Sequence, residues 1–131
     1  MSQYNEGVKA FFAGEALAIN RIVRLESADG DSVVYADEYD DDVILGVTKA
    51  TAAAGAHVAV ELFTPSKTFK LTVSGAVSAE NSALYLDDDG KVKNSGNGDV
   101  IAINLETASG DGARIECVPV FAHTSAGAIG S

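Results

Sequence analysis

Apolar and polar side chains alternate over several short stretches of this chain. Residues 69–73 read FKLTV and residues 57–63 read HVAVELF, so that the apolar side chains of each stretch share one face of an extended segment. Further strands are predicted at residues 22–26, 33–36 and 83–86. Glycine and aspartate cluster between these segments, as turns require. The pattern predicts an all-β fold, a small barrel or sandwich with little helix.

One arrangement of apolar and small residues occurs twice. Residues 43–60 read VILGVTKATAAAGAHVAV, and residues 100–118 read VIAINLETASGDGARIECV. Thr51 aligns with Thr107, and Gly55 aligns with Gly112 after one extra residue. Each copy reads as a strand, a turn of small residues and an alternating strand. The repetition predicts two similar β units, each too small to bury its own apolar face.

The ends of the chain differ from its middle. Residues 1–13 are predicted to form an extended N-terminal arm, whose aromatic anchors are Tyr4, Phe11 and Phe12. Residues 14–121 are predicted to form the β domain that contains the repeat. Residues 122–131 are rich in small side chains and are predicted to form a flexible C-terminal tail.

Two short segments have some helical character. Residues 14–20 are compatible with one helical turn, which is too short to be stable alone. Residues 49–56 are rich in alanine, but Gly55 ends any helix within two turns, so a loop or a single turn is expected there.

Composition narrows the possible partners. The chain has 131 residues, enough for one compact domain, and a net charge of −10. An acidic surface repels phosphate backbones and anionic lipid, so no nucleic-acid or membrane partner is predicted. No apolar run approaches the ~18 residues of a membrane span. The N-terminus lacks the pattern of a secretion signal, so synthesis in the cytoplasm is expected.

No residue pattern indicates catalysis or a bound cofactor. Cys117 lies on an alternating strand and reads as a core residue, which leaves no partner for a disulfide. His57 and His123 lack the companions of a zinc site, and His57 is predicted to face solvent. Residues 29–31 and 87–90 contain aspartates that calcium would favour, but their spacing is typical of solvated turns. The prediction is a protein without catalytic residues, metal or cofactor.

The order of several motifs resembles a family of tailed-phage capsid decoration, or cement, proteins. The segment at residues 12–17 reads FAGEAL, similar to the entry segment of that family, and is followed by LGVT, VSA and DGKV at residues 45–48, 77–79 and 89–92. The likeness covers about residues 8–120. Residues 63–68 and the tail depart from it, and Ala102 stands where the family commonly has glycine.

The resemblance implies a structural virion protein that binds the outer surface of an expanded capsid and stabilises it. Its partners would be the major capsid protein and further copies of itself, as a dimer or trimer. It would be made in the host cytoplasm and reside on the capsid exterior. Tyr4, Phe11 and Phe12 are the candidate partner-binding residues, because aromatic side chains concentrate interface energy.

Three alternatives stay open at this stage. One is a small enzyme or metal-binding barrel, which a shift of several degrees in melting temperature on addition of calcium or zinc would favour. Phe11 and Phe12 would equally satisfy their apolar surface by capping their own barrel. The domain as a whole would also suit a carbohydrate- or cell-binding module of a phage fibre or adhesin. That class usually displays aromatic platforms, whereas this chain has no Trp and four Tyr.

Overall fold

The computed structural model describes residues 7–26, 30–40, 43–96 and 98–120. These residues form ten strands and one 3₁₀ turn at Asp88–Gly90, which confirms the predicted all-β fold. No helix in the described ranges is long or apolar enough to cross a membrane. The strands are β1 (Val8–Ala13), β2 (Ile22–Leu25), β3 (Ser32–Tyr35), β4 (Gly46–Thr48), β5 (His57–Leu62), β6 (Phe69–Thr72), β7 (Ala83–Leu86), β8 (Val92–Lys93), β9 (Val100–Asn104) and β10 (Arg114–Pro119).

The first five strands form a closed barrel, here called the first unit (residues 8–62). The strand order is β1-β3-β2-β4-β5. Pairing is antiparallel except between β1 and β3, which run parallel and close the barrel. Closure leaves no free sheet edge in this unit, so its backbone groups pair internally.

The last five strands, the second unit (residues 69–119), form a sheet in the order β6-β10-β9-β7-β8. Read around the closed barrel in the opposite direction, the order of the first unit is β1-β5-β4-β2-β3. These strands correspond in turn to β6, β10, β9, β7 and β8, and the aligned strands pair in the same register. The equivalent pairs are Phe11–Val58 and Leu71–Ile115, Ile22–Val47 and Ala83–Ile103, Thr48–Val60 and Asn104–Cys117, and Leu25–Val33 and Leu86–Val92. The predicted pair of β units is therefore confirmed, and the repeat extends from residues 43–60 and 100–118 to all five strands of each unit.

The same backbone corner precedes β2 and β7. Asn20 and Asn81 both have φ 61°, a left-handed conformation that asparagine tolerates well. Their N–H groups donate to the carbonyls of Thr48 and Asn104, at 3.0 and 2.8 Å. The buried side chains of Thr48 and Asn104 donate in turn to the carbonyl two residues before each Asn, at 2.7 and 2.9 Å. Each corner is thus fixed by one buried polar residue whose hydrogen bonds are satisfied.

The second unit does not close as the first does. The N–H of Thr72 donates to the carbonyl of Asn20, in the first unit, at 3.1 Å. The equivalent N–H in the first unit, that of Phe12, donates across the closure to the residue before β3 at 2.7 Å. In the second unit, β6 and β8 are joined only by an isolated parallel bridge between Val73 and Val92. The first unit therefore occupies the place where the second sheet would otherwise close.

The apolar core is divided in the same way. One cluster fills the barrel of the first unit: Phe11, Ala13, Leu17, Val23, Val33, Ala52, Val58 and Val60. A larger cluster fills the second unit, and it includes Ile22, Ala36 and Val47 from the first unit. Burying an isoleucine or valine side chain contributes about 1.5–3 kcal/mol, so Ile22 and Val47 in particular fasten the two units together.

Residues 8–13, the C-terminal half of the predicted arm, form β1 within the barrel. Alternation along β1 sends Phe11 inward and Phe12 outward, and β1 pairs with both β3 and β5. Tyr4 and the predicted tail lie outside the described residues.

Residues 14–20 form bends and a turn around one bridge residue rather than a helix. Leu17 makes an antiparallel bridge to Ala52, which holds the backbone open. The alanine-rich residues 49–56 also contain no helix, as expected.

Candidate functional site

The outer faces of the two units carry the most informative contrast on the surface. On the first unit, Ile22 and Val47 are paired neighbours that point away from the barrel interior. They are 0% and 2% exposed because the second unit covers them. Beside them lie Glu61, paired with Val47 across the strands, and Lys49, whose ammonium is 3.2 Å from the Glu61 carboxylate.

The equivalent face of the second unit lies open. Ala83 and Ile103 replace Ile22 and Val47, and neither belongs to the buried core. The positions of Glu61 and Lys49 are taken by Val118 and Leu105. We call Ala83, Ile103, Leu105 and Val118 the open strip; Ala83 is exposed, Ile103 and Val118 are half-buried, and Leu105 is 48% exposed.

Charged residues border the open strip. The Lys70 ammonium lies 3.3 Å from the Glu106 carboxylate, which also accepts the Glu116 N–H at 2.7 Å. The N–H of Glu116 and the charge of Lys70 lower the pKa of Glu106, so this rim carboxylate stays ionised at neutral pH. An apolar centre with a charged rim is the usual anatomy of a protein–protein interface.

A polar groove of about 210 Å³ adjoins this rim at the junction of the two units. Its lining includes Lys49, Glu61, Lys67, Lys70 and Glu116. Glu61 is only 4% exposed, yet its carboxylate is paired with both Lys49 and Lys67. Because the charges satisfy one another, the groove offers fixed polar contacts rather than a reactive group.

A second polar cluster, here called the clasp, joins the units at the loop that follows β3. It consists of residues 36–38 from the first unit and Asp87–Gly90 with Lys93 from the second. The Gly90 N–H donates to the Ala36 carbonyl at 2.8 Å, and the Lys93 ammonium lies 2.9 Å from the Glu38 carboxylate. Arg21 adds a hydrogen bond of 3.0 Å to the Asp89 carbonyl. Residues 87–90, predicted from the sequence to be a solvated turn, thus help to join the two units.

The clasp also brings together three carboxylates. One oxygen from each of Glu38, Asp87 and Asp88 lies within 4.8 Å of the others. The Lys93 ammonium already serves two of them, at 2.9 and 3.4 Å. Burial acts to raise the pKa of Asp87, but hydrogen bonds from Ser74 and the Asp88 N–H, together with Lys93, outweigh it and lower that pKa. The hydrogen bond to Glu38 raises the pKa of Lys93. A lysine therefore already supplies the positive charge that a metal ion would bring.

The predicted site residues fall in different environments. Phe11 is 6% exposed and belongs to the barrel core, with the Lys9 ammonium 5.3 Å from its ring. Phe12 is 44% exposed and stacks on His57 with ring centroids 4.5 Å apart. His57 faces solvent as predicted. Tyr4 lies outside the described residues.

Cys117 is buried as predicted, and burial raises the pKa of its thiol to about 12. The thiol is therefore protonated at neutral pH and is a poor nucleophile.

Sequence reasoning did not identify the open strip. A signal was nevertheless available in the repeat itself. Leu105 stands at the position of Lys49 in the first copy of the repeat. Val118 stands at the position of Glu61, which directly follows the end of that copy. What the sequence could not supply is which of the two faces is covered by the other unit.

The described residues thus form a closed β barrel joined to an open β sheet, whose outer surface carries an apolar strip with a charged rim. The family model of the phage cement protein matches residues 5–119. The chain therefore belongs to the phage cement protein family, which makes it a component of the phage virion. This confirms the resemblance drawn from the sequence.

Two further comparisons bear on this assignment. Among solved structures, the head fiber gp8.5 N base of bacteriophage phi29 is similar, with a TM-score of 0.69 at 14% identity. The alignment covers 86% of this chain and 92% of that one, so the likeness concerns the whole fold. No curated protein matches the sequence.

Proposed function

We propose that this protein binds the outer surface of the expanded phage capsid and stabilises it as a decoration protein. The observation that carries this proposal is the family match over residues 5–119, which implies binding to the phage capsid. The surface described above supports it, because an apolar strip with a charged rim suits a large protein partner. In this role the protein acts mechanically and transforms no substrate.

The mechanism is a thermodynamic linkage between binding and the state of the shell. A protein that binds the expanded lattice and not its precursor shifts the equilibrium towards the expanded form. Each site contributes about 2.7 kcal/mol when the free protein is at 100 times its Kd. Because many copies bind one shell, their binding free energies add up and stabilise the shell against the outward pressure of packaged DNA.

Charge supports a position on the exterior. The net charge of −10 opposes contact with packaged nucleic acid, which carries a dense negative charge. A protein on the outer surface avoids that repulsion.

We further propose that the protein acts as a homo-oligomer, a dimer or a trimer, so that several weak contacts engage neighbouring shell subunits together. Phe12 is the candidate contact residue among the described aromatics of the N-terminal region, because its ring is 44% exposed. Phe11 is already used in the barrel core, and it is not proposed as a contact. Tyr4 remains a candidate from the sequence alone.

The test uses phage particles made without this protein. Expanded shells and unexpanded precursors are mixed separately with the purified full-length chain and sedimented. Co-sedimentation at saturable stoichiometry with expanded shells, and not with precursors, is expected. Equal recovery with both forms would contradict stabilisation by linkage, and recovery with neither would contradict the function itself.

One observation favours a second candidate, a carbohydrate- or cell-binding module. The similar structure from phi29 is described as the base of a head fiber. In that case the full-length chain would bind host cells, and soluble cell-wall glycans would compete with binding. The decoration role predicts no such binding.

A further inference from the structure

The structure displays one face of the repeat twice, once covered and once open. On the first unit this face consists of Asn20, Ile22 and Val47. The Asn20 carbonyl accepts the Thr72 N–H at 3.1 Å and its hydroxyl at 3.0 Å, while Ile22 and Val47 enter the core of the second unit. This face therefore docks onto the open side of a β sheet by pairing with a strand edge and burying two aliphatic side chains.

The second unit carries the same face, and none of the described residues covers it. Asn81 has the φ of Asn20 and is exposed, and Ala83 and Ile103 follow at the positions of Ile22 and Val47. The backbone groups and apolar side chains that dock the first unit are therefore repeated on the outside of the molecule.

The open strip is also more apolar than its covered counterpart. Where the first unit has the Lys49–Glu61 ion pair, the second has Leu105 and Val118. Single exposed apolar residues are common, but a contiguous apolar strip on adjacent paired strands marks an interaction surface. The strip is continuous through Glu116 with the polar groove between the units, which extends the available contact area.

From these observations we propose that the open strip is the surface that docks onto the shell, and that its partner there is an unpaired β-strand edge of the major capsid protein. This inference rests on the proposed function and specifies its site. Within this chain, the covered face already binds a strand edge. The backbone N–H and the hydroxyl of that edge donate to the corner carbonyl, beside an apolar surface.

A second copy of the chain is a poorer occupant of the strip. The counterpart of this face within the described residues is the open side of the second sheet, and the chain's own first unit already fills it.

The test exploits the repeat. The double variant Leu105→Lys/Val118→Glu gives the second unit the ion pair that the first unit carries at the same positions, so the fold has a precedent for it. Its matched control is Val43→Lys/Leu25→Glu, which places the same residue types at two other exposed apolar positions, 53% and 39% exposed. Both variants leave the net charge unchanged.

Binding of labelled protein to expanded shells lacking the protein is measured by co-sedimentation across a concentration series. The strip variant is expected to bind at least about tenfold more weakly, and the control within about threefold of the unmodified chain. Melting temperature and mass in solution are expected to be the same for all three. Equal binding by the strip variant and the unmodified chain would overturn the inference while leaving the proposed function standing. Failure of the unmodified chain to bind would overturn the proposed function.

A second measurement guards against a folding defect and identifies the occupant. Ala83→Cys is labelled with a photo-crosslinker and irradiated on expanded shells; Cys117 is buried and does not compete for the label. Crosslinking to the major capsid protein is expected, and the same label at exposed Ala53 is expected to give none. Crosslinks from Ala83→Cys only between copies of the chain, or a fall in solution mass of the strip variant, would assign the strip to self-association and overturn the inference.

Discussion

The two units share a strand order and register, yet one is a closed barrel and the other an open sheet. The difference arises at one backbone group: the Thr72 N–H bonds to Asn20 of the first unit, where the equivalent Phe12 N–H closes its own barrel. The core of the first barrel consists of that unit's own residues, whereas the core of the second unit includes Ile22, Ala36 and Val47 from the first. The two copies of the repeat therefore form units with different structures, a closed barrel and an open sheet, because each copy lies in a different environment.

The largest expected effect comes from placing a charge on the covered face. Ile22→Asp puts a carboxylate, without a partner, into the core of the second unit, where Ile22 is 0% exposed. We expect a loss of more than about 4 kcal/mol in the free energy of unfolding, or no folded protein at all.

The repeat supplies the matched control. Ala83→Asp changes the equivalent position on the open face and is expected to stay within about 0.5 kcal/mol of the unmodified chain in urea denaturation. Similar losses at both positions would contradict the view that only one of the two faces is covered.

The next effect concerns the clasp. Gly90 has φ 71°, and a Cβ added there would lie 2.4 Å from the Ile22 carbonyl oxygen and 2.9 Å from its N. Gly90→Ala therefore strains the backbone and pushes the two units apart. We expect a loss of about 3 kcal/mol, measured by thermal and urea unfolding. Gly110→Ala is the control, because Gly110 has open space around its Cβ position and no left-handed φ, and it is expected to be neutral.

Some strands could be predicted from the sequence alone and others could not. Alternation was sufficient to predict β5, β6 and β7, whose inward residues are regularly apolar. It failed for β1, because Lys9 and Ala10 interrupt the pattern and the strand is fixed by two neighbours distant in sequence.

The full extent of the repeat was hidden for a similar reason. Equivalent positions such as Phe12 and Thr72 share a backbone role but no side-chain chemistry. Likewise, the sequence of the open strip is visible, but its exposure depends on how the units dock, which no local pattern encodes.

A smaller effect tests the junction at β6. Thr72→Val removes the hydroxyl that donates to Asn20 at 3.0 Å while keeping the shape of the side chain and the backbone N–H. A loss of about 1 kcal/mol is expected in urea denaturation, which is typical of one hydrogen bond. Thr107→Val changes an exposed threonine in the second unit and is expected to leave stability unchanged. If the two variants have the same free energy of unfolding, the Thr72 hydroxyl does not help to bind the second sheet to the first unit.

The smallest effect is the pH dependence of the clasp. The pKa of Asp87 is lowered in the folded state, so its ionised form stabilises the fold above its unfolded pKa, and this contribution is lost as the pH falls below about 4. The Asp87 side chain is half-buried and in contact with solvent, so solvent screening limits the loss to about 1 kcal/mol. The pKa of Lys93 is raised, so its contribution is present up to about pH 10 and is lost at higher pH.

In the first unit, the positions of Asp87 and Lys93 are held by Glu26 and Val34, which form no such pair. Melting temperatures between pH 3 and pH 7 should therefore fall less steeply for Asp87→Asn than for the unmodified chain. An identical slope for Asp87→Asn and the unmodified chain would mean that the carboxylate of Asp87 does not help to join the two units.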